Sequence, residues 1–273
     1  MTSCTRLGLL GALTLLPVFA QVSSVVVAQD RSERISQRLG RIRDLVDHLD
    51  GTADSTNWSG YAVLGSSFTS AQGSWTVPAV NCSGVRGDQY AAFWVGIDGY
   101  SSSTVEQTGT LSDCVGRTPS YVAWYEFYPA ALTEISLAVK PGDHISASVT
   151  YVSGSTFSVT ITDETTGKSY STTGSVSGAA RSSAEWIAEA PCCTFSGGIL
   201  PLADFGTVDF GSDYTGVSGT NYATDSSNSG SISSFGSANY VQITKVGSGT
   251  SPQTSTCSAL SSDGTSFTCT WAK

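Results

Sequence analysis

Charge is scarce in this chain: charged residues make up 13% of 273, about half the usual share of a globular protein. Disordered segments and coiled coils depend on charge, so neither describes the whole chain. Positive charge is scarcer still, with 13 Lys and Arg against 22 Asp and Glu and a net charge of −9. That balance repels phosphates and excludes nucleic acid as a partner. There are two histidines, His48 and His144. They leave no basis for a histidine-rich metal site and little for a Ser–His–Asp triad. No Gly-x-Ser-x-Gly elbow and no Cys-x-x-Cys pair occurs, so neither a serine-hydrolase motif nor a zinc motif is present. What the chain does have is 29 Gly, six Trp, 11 Tyr and ten Phe, with dense Ser and Thr. This is the vocabulary of an all-β protein with many turns.

Arg6 is followed by an apolar run over 7–20 and a shorter one over 25–28. A basic start, an apolar stretch and a small residue read as a secretory signal over 1–28, cut after Ala20 or Ala28. The run is short for a membrane span. The expected mature protein is therefore secreted and free of the membrane. Export gives the cysteines meaning: six remain after Cys4 leaves with the signal, and they suggest disulfides. Cys257 and Cys269 flank the turn Ser262-Asp263-Gly264 and are expected to clip a terminal hairpin. The adjacent Cys192 and Cys193 leave their partners open.

Composition changes near residue 51. Over 29–51, Ile35, Leu39, Ile42, Val46 and Leu49 recur at helical spacing, among five basic and five acidic residues. From Thr52 onward there are 17 acidic and seven basic residues. This predicts a helical propeptide and linker over 29–56, with 51–56 as the linker. Its arginine face is expected to dock on the acidic domain and to leave in acid. The expected inhibitor is thus the chain's own propeptide.

Residues 57–273 read as one β domain. Strands are expected at 59–64, 71–77, 91–97, 121–128, 134–139, 144–152, 156–163, 184–188, 208–210, 238–246 and 266–271. That number of strands predicts an antiparallel β-sandwich of two large sheets. The segment 211–236 is poor in large apolar residues and reads as a long surface loop. A monomer is the default.

Carboxylates and amides are left to carry any chemistry. Asp98, Glu126 and Glu185 sit among aromatics, and burial against rings raises a carboxyl pKa and suits it to proton transfer.

The chain resembles the glutamic peptidases, the pepstatin-insensitive acid endopeptidases also called eqolisins or peptidase family G1. The matching stretches are Asn57-Trp58-Ser59-Gly60, Trp75-Thr76-Val77-Pro78, Trp94-Val95-Gly96-Ile97-Asp98-Gly99 and Gln107-Thr108-Gly109, then Ala123-Trp124-Tyr125-Glu126-Phe127-Tyr128-Pro129, Ala184-Glu185-Trp186-Ile187 and Phe205-Gly206-Thr207-Val208. They occur in the family's order. The resemblance implies a sandwich of the concanavalin A-like lectin and glucanase type, with a peptide cleft on one curved sheet. It implies a catalytic pair, Glu185 and Gln107, with Trp94, Asp98, Glu126, Trp58 and Tyr128 along the cleft. It implies polypeptide substrates and no metal or other cofactor.

Those residue types suit amide hydrolysis. Glu185 can take a proton from water and return it to the leaving amine. Gln107 can donate its amide N–H to the oxyanion. A glutamate base near its ordinary pKa of about 4.3 is expected to work in acid. One departure from the family pattern is Glu106, beside Gln107; it points away from the cleft if the strand is regular, and adds a third carboxylate that shifts the pH optimum if a bulge is present. The rival readings are a glycoside hydrolase using Glu126 and Glu185, and a lectin-like carbohydrate-binding module on the same sandwich.

Overall fold

The computed structural model describes residues 39, 41–191 and 198–273. The expected signal and Cys192-Cys193 lie outside them. Among the described residues there are 18 strands. The first nine are β1 (Val46–Asp47), β2 (Thr52–Ser55), β3 (Trp58–Leu64), β4 (Ser70–Thr76), β5 (Ala92–Ile97), β6 (Val105–Val115), β7 (Thr118–Tyr128), β8 (Thr133–Ile135) and β9 (His144–Ser153). The rest are β10 (Thr156–Asp163), β11 (Lys168–Ser175), β12 (Ser183–Glu189), β13 (Thr207–Phe210), β14 (Tyr222–Thr224), β15 (Ser229–Ser231), β16 (Tyr240–Lys245), β17 (Thr254–Cys257) and β18 (Phe267–Ala272).

Hydrogen bonding is continuous through one folded sheet that makes two layers. The first layer runs β8-β7-β6-β5-β12-β3-β16-β2-β1. The second runs β11-β10-β9-β4-β13-β18-β17, with the β14–β15 hairpin added at β4. A single pairing, Lys245 with Ser255, turns the corner between layers. Every pairing between these strands is antiparallel except β16 with β2. The expected antiparallel sandwich is what the chain forms.

Alternation along the strands fills the space between layers. Phe93, Val95 and Ile97 of β5 and Ala184, Trp186 and Ala188 of β12 enter the main core. Polar bonds cross it as well: Trp75 Nε1 donates to Thr110 Oγ1 at 2.9 Å and Trp186 Nε1 to the Gln72 carbonyl at 2.7 Å. Each satisfies an indole N–H that would otherwise be stranded in the interior. Disulfides Cys82–Cys114 and Cys257–Cys269 brace the fold. The second joins directly opposed residues of β17 and β18, as expected for a terminal clip.

Three expectations need correction. Residues 41–51 are not helical: Val46–Asp47 is a strand paired with β2, because apolar residues at helical spacing also serve a chain that packs through only a few of them. The stretch 52–55 is not a linker; it lies parallel to β16, with Ala53 and Ser55 buried. The segment 211–236 is not a plain surface loop. It holds a helical turn α1 (Ser212–Thr215), the β14–β15 hairpin and a 3₁₀ turn (Ile232–Phe235). Hydroxyl and amide bonds anchor it, including Asn221 Nδ2 to the Thr265 carbonyl at 2.7 Å. No helix among the described residues is long and apolar enough to cross a membrane.

Candidate active site

One cross-strand row defines the outer face of the first layer. It runs Ala62 (β3), Glu185 (β12), Gly96 (β5), Gln107 (β6) and Glu126 (β7). Glu185 shares this face with Ile187 and Glu189, since the alternate residues of β12 enter the core. Neighbouring strands are about 4.8 Å apart, so the Glu185 and Gln107 backbones stand about 10 Å apart with a glycine between them. A carboxyl and an amide therefore flank a gap with no side chain at its floor. A Cβ on Gly96 would come within 2.8 Å of the Trp94 ring.

Gln107, Glu126 and Glu185 are fully buried. Gln107 Nε2 donates to Glu126 Oε2 at 2.6 Å. Gln107 Oε1, Glu126 Oε1 and both Glu185 oxygens have no hydrogen-bond partner. Unpaired buried acceptors are costly and rare, and a catalytic role is one reason for keeping them. Burial raises the Glu126 carboxyl to about 8, opposed by the Gln107 bond. Burial also raises Glu185 well above its ordinary value; Ser183 opposes this, while Asp98 and Glu106 add to it. The expectation of a base near its ordinary pKa does not hold for this closed face, because no water reaches the carboxylate to stabilise its charge.

The next row carries the aromatics: Ile187, Trp94, Gly109 and Trp124. Trp58 meets Trp94 edge-on at 4.9 Å. Gly109 is required here, since a Cβ would lie 2.1 Å from the Phe93 carbonyl oxygen. Tyr128, half-buried, pairs with Val105 at the end of β7. Asp98 is fully buried just past the end of β5. Its carboxylate accepts from Arg181 N (2.7 Å), Ser182 N (2.9 Å) and Ser182 Oγ (3.1 Å). It holds the turn that leads into β12, and its charge adds to the rise of the Glu185 carboxyl. Glu106 lies in an unbroken register opposite Ile97 and Phe127, so it points between the layers, as the regular strand requires. Burial raises it to about 9.

Two residues on this face were not anticipated as site residues. Glu189 is fully buried, two positions along the same face from Ile187. It accepts from Trp94 Nε1 at 2.9 Å and from Asn57 Nδ2 at 3.3 Å. Asn57 was noted only as the first residue of a matching stretch, and it is fully buried. The acid four residues beyond Glu185, on the same strand face, was the available signal. Among the described residues no group of His, Cys, Asp and Glu is arranged to hold a metal.

A family model, the Peptidase A4 family, matches residues 56–271. The chain belongs to the Peptidase A4 family. Aspergillopepsin-2 of Aspergillus niger is 35% identical over 189 residues, which cover 59% of this chain and 66% of that protein. The chain thus spans just under two thirds of that relative's length. Among solved structures, scytalido-glutamic peptidase with a transition state analog inhibitor is 29% identical with a TM-score of 0.63, covering 80% of this chain and 98% of that one. SCP-B, an eqolisin solved with the tripeptide Ala-Ile-His, is 28% identical with a TM-score of 0.60 over the same shares. These Peptidase A4 relatives are glutamic peptidases, and this chain has their sandwich fold.

Proposed function

We propose that the protein is a secreted acid endopeptidase that cleaves polypeptides with Glu185 and Gln107. The row Glu185–Gly96–Gln107 carries this reading: an acid–base group and an amide donor face one gap across a glycine. Glu185 deprotonates a water in that gap, the water attacks the peptide carbonyl, and the same carboxyl then protonates the leaving nitrogen. The Gln107 amide donates to the oxyanion and is oriented by Glu126, which is neutral in acid. Glu185 must be ionised to act as base, so the face has to open to water first. Opening lowers its pKa toward the ordinary range. We assign the covering role to the N-terminal segment, as an inhibitory propeptide that leaves on maturation.

The glycosidase alternative fits this geometry less well. The Glu126 and Glu185 backbones are three strand spacings apart, about 14 Å along the row, and the Glu126 carboxyl is engaged with Gln107. Paired glycosidase carboxyls stand about 5–9.5 Å apart. The test is cleavage of a denatured protein across pH 2–7 with pepstatin present, alongside Glu185→Gln. Acid cleavage that survives pepstatin and vanishes in the variant is expected; no cleavage by folded, processed protein would overturn the reading.

A further inference from the structure

The segment around Ile42 packs on the outer face ahead of the first strand, which begins at Val46. Leu39 and Ile42 are buried in the same apolar cluster as Trp58, Trp94, Trp124 and Ile187. Ile42 N donates to the Gly99 carbonyl at 3.2 Å, just past the end of β5. The Arg43 carbonyl accepts from Thr56 N at 3.1 Å and Ser55 Oγ at 3.0 Å, while the Arg41 carbonyl and the Arg43 N–H both meet one side chain, Asn57.

The Asn57 amide makes four bonds. Two fix it to the domain: Ser55 Oγ donates to Oδ1 at 3.0 Å, and Nδ2 donates to Glu189 Oε1 at 3.3 Å. Two reach the segment: Arg43 N donates to Oδ1 at 2.7 Å, and Nδ2 donates to the Arg41 carbonyl at 3.3 Å. The pair reads one main-chain acceptor and one main-chain donor on either side of a single buried residue, Ile42. An amide side chain carries a donor and an acceptor side by side, as in a peptide unit. It therefore meets an extended chain as an adjacent strand would. Glu189 ties this contact to the cleft, since its other oxygen holds the Trp94 indole.

We infer that Asn57, positioned by Glu189, is a clamp for the backbone of a bound peptide, and that 41–43 occupies it as an internal stand-in for that peptide. The clamp reads main chain rather than sequence. Specificity at this point comes from the apolar surroundings of the Ile42 position, which take an aliphatic side chain. The inference rests on the peptidase reading for its biological ligand.

The test uses the full chain carrying Glu185→Gln and a fluorescein-labelled peptide with the sequence of residues 39–47. Binding is followed by anisotropy at pH 4. Adding Ile42→Asp to the protein is expected to tighten binding at least tenfold, by emptying the clamp. Methylating the peptide nitrogen at the Arg43 position is expected to weaken binding at least fivefold, with no change to the protein's own fold. Equal binding with and without Ile42→Asp would overturn the occupancy; equal binding of the methylated peptide would overturn the clamp. Hydrolysis is assayed separately on a denatured protein, so a failure of the Glu185 and Gln107 roles leaves both binding outcomes decisive.

Discussion

Gln107 and Glu126 stand directly opposite each other on β6 and β7, with the amide Nε2 donating to the carboxyl Oε2 at 2.6 Å. A glutamine has free rotation about its terminal bonds, and an oxyanion donor has to be fixed before the charge develops. Opposed side chains in a sheet supply that fixing at little entropic cost. In acid the Glu126 carboxyl is neutral, so it can orient the amide without placing a negative charge beside the oxyanion.

Gln107→Ala is expected to lower kcat by about 10²–10³, the usual effect of removing one oxyanion donor. KM for a peptide substrate should change little, because the interaction belongs to the transition state. A loss seen mainly in KM would make Gln107 a binding residue.

Glu126→Gln should keep the hydrogen-bonded pair and much of the activity. Glu126→Ala frees the Gln107 amide and should cost at least tenfold in kcat, about 1.4 kcal/mol. Steady-state kinetics at pH 3–4 distinguishes the two; equal activity in both would show that Gln107 needs no support.

Gly96→Ala introduces a Cβ 2.8 Å from the Trp94 ring, which Glu189 and Trp58 hold in place. The protein should fold, with kcat/KM reduced tenfold or more, about 1.4 kcal/mol. Gly109→Ala is different: its Cβ would meet the Phe93 carbonyl at 2.1 Å, and soluble folded protein should fall sharply. Near-ultraviolet circular dichroism separates the outcomes.

Stability should be greatest in acid. Burial raises the folded-state carboxyls of Glu106 and Glu126 to about 9 and 8. A raised carboxyl contributes its stability fully below the unfolded value, about 4.3. That contribution is lost as pH rises through the folded value. Tm is expected to fall between pH 4.5 and 9, and Glu106→Gln to flatten the fall. A wild-type Tm that climbs over this range would contradict the burial argument.

The fold was legible where apolar residues alternate, as in β5, β9 and β10. The strand that carries Gln107 was not. β6 is built from Val105-Glu106-Gln107-Thr108-Gly109-Thr110-Leu111-Ser112-Asp113-Cys114-Val115, too polar to read as a buried strand. Yet ten of its residues are buried, because their hydroxyls bond locally: Thr108 Oγ1 reaches the Trp124 carbonyl at 2.7 Å. The residues of the row were legible from motif resemblance. That Gly96 opens the gap between them was not, because register across four strands is a tertiary property. Glu189 escaped notice because a lone acid near a strand end is ordinarily a solvated residue.

The parallel pairing of β2 with β16 settles which part of the N-terminal region belongs to the sheet. Residues 52–55 are stitched to β16 over four register positions, whereas Val46 and Asp47 rely on two pairings with β2. Between them the turn at 48–51 projects outward, with Leu49 fully exposed. A cut in this turn would leave β2 woven into the sheet and the 41–47 segment held by its two β2 pairings, the Asn57 amide and the burial of Ile42. Under the maturation proposed above, this hairpin would be the perforation line between the part kept and the part removed.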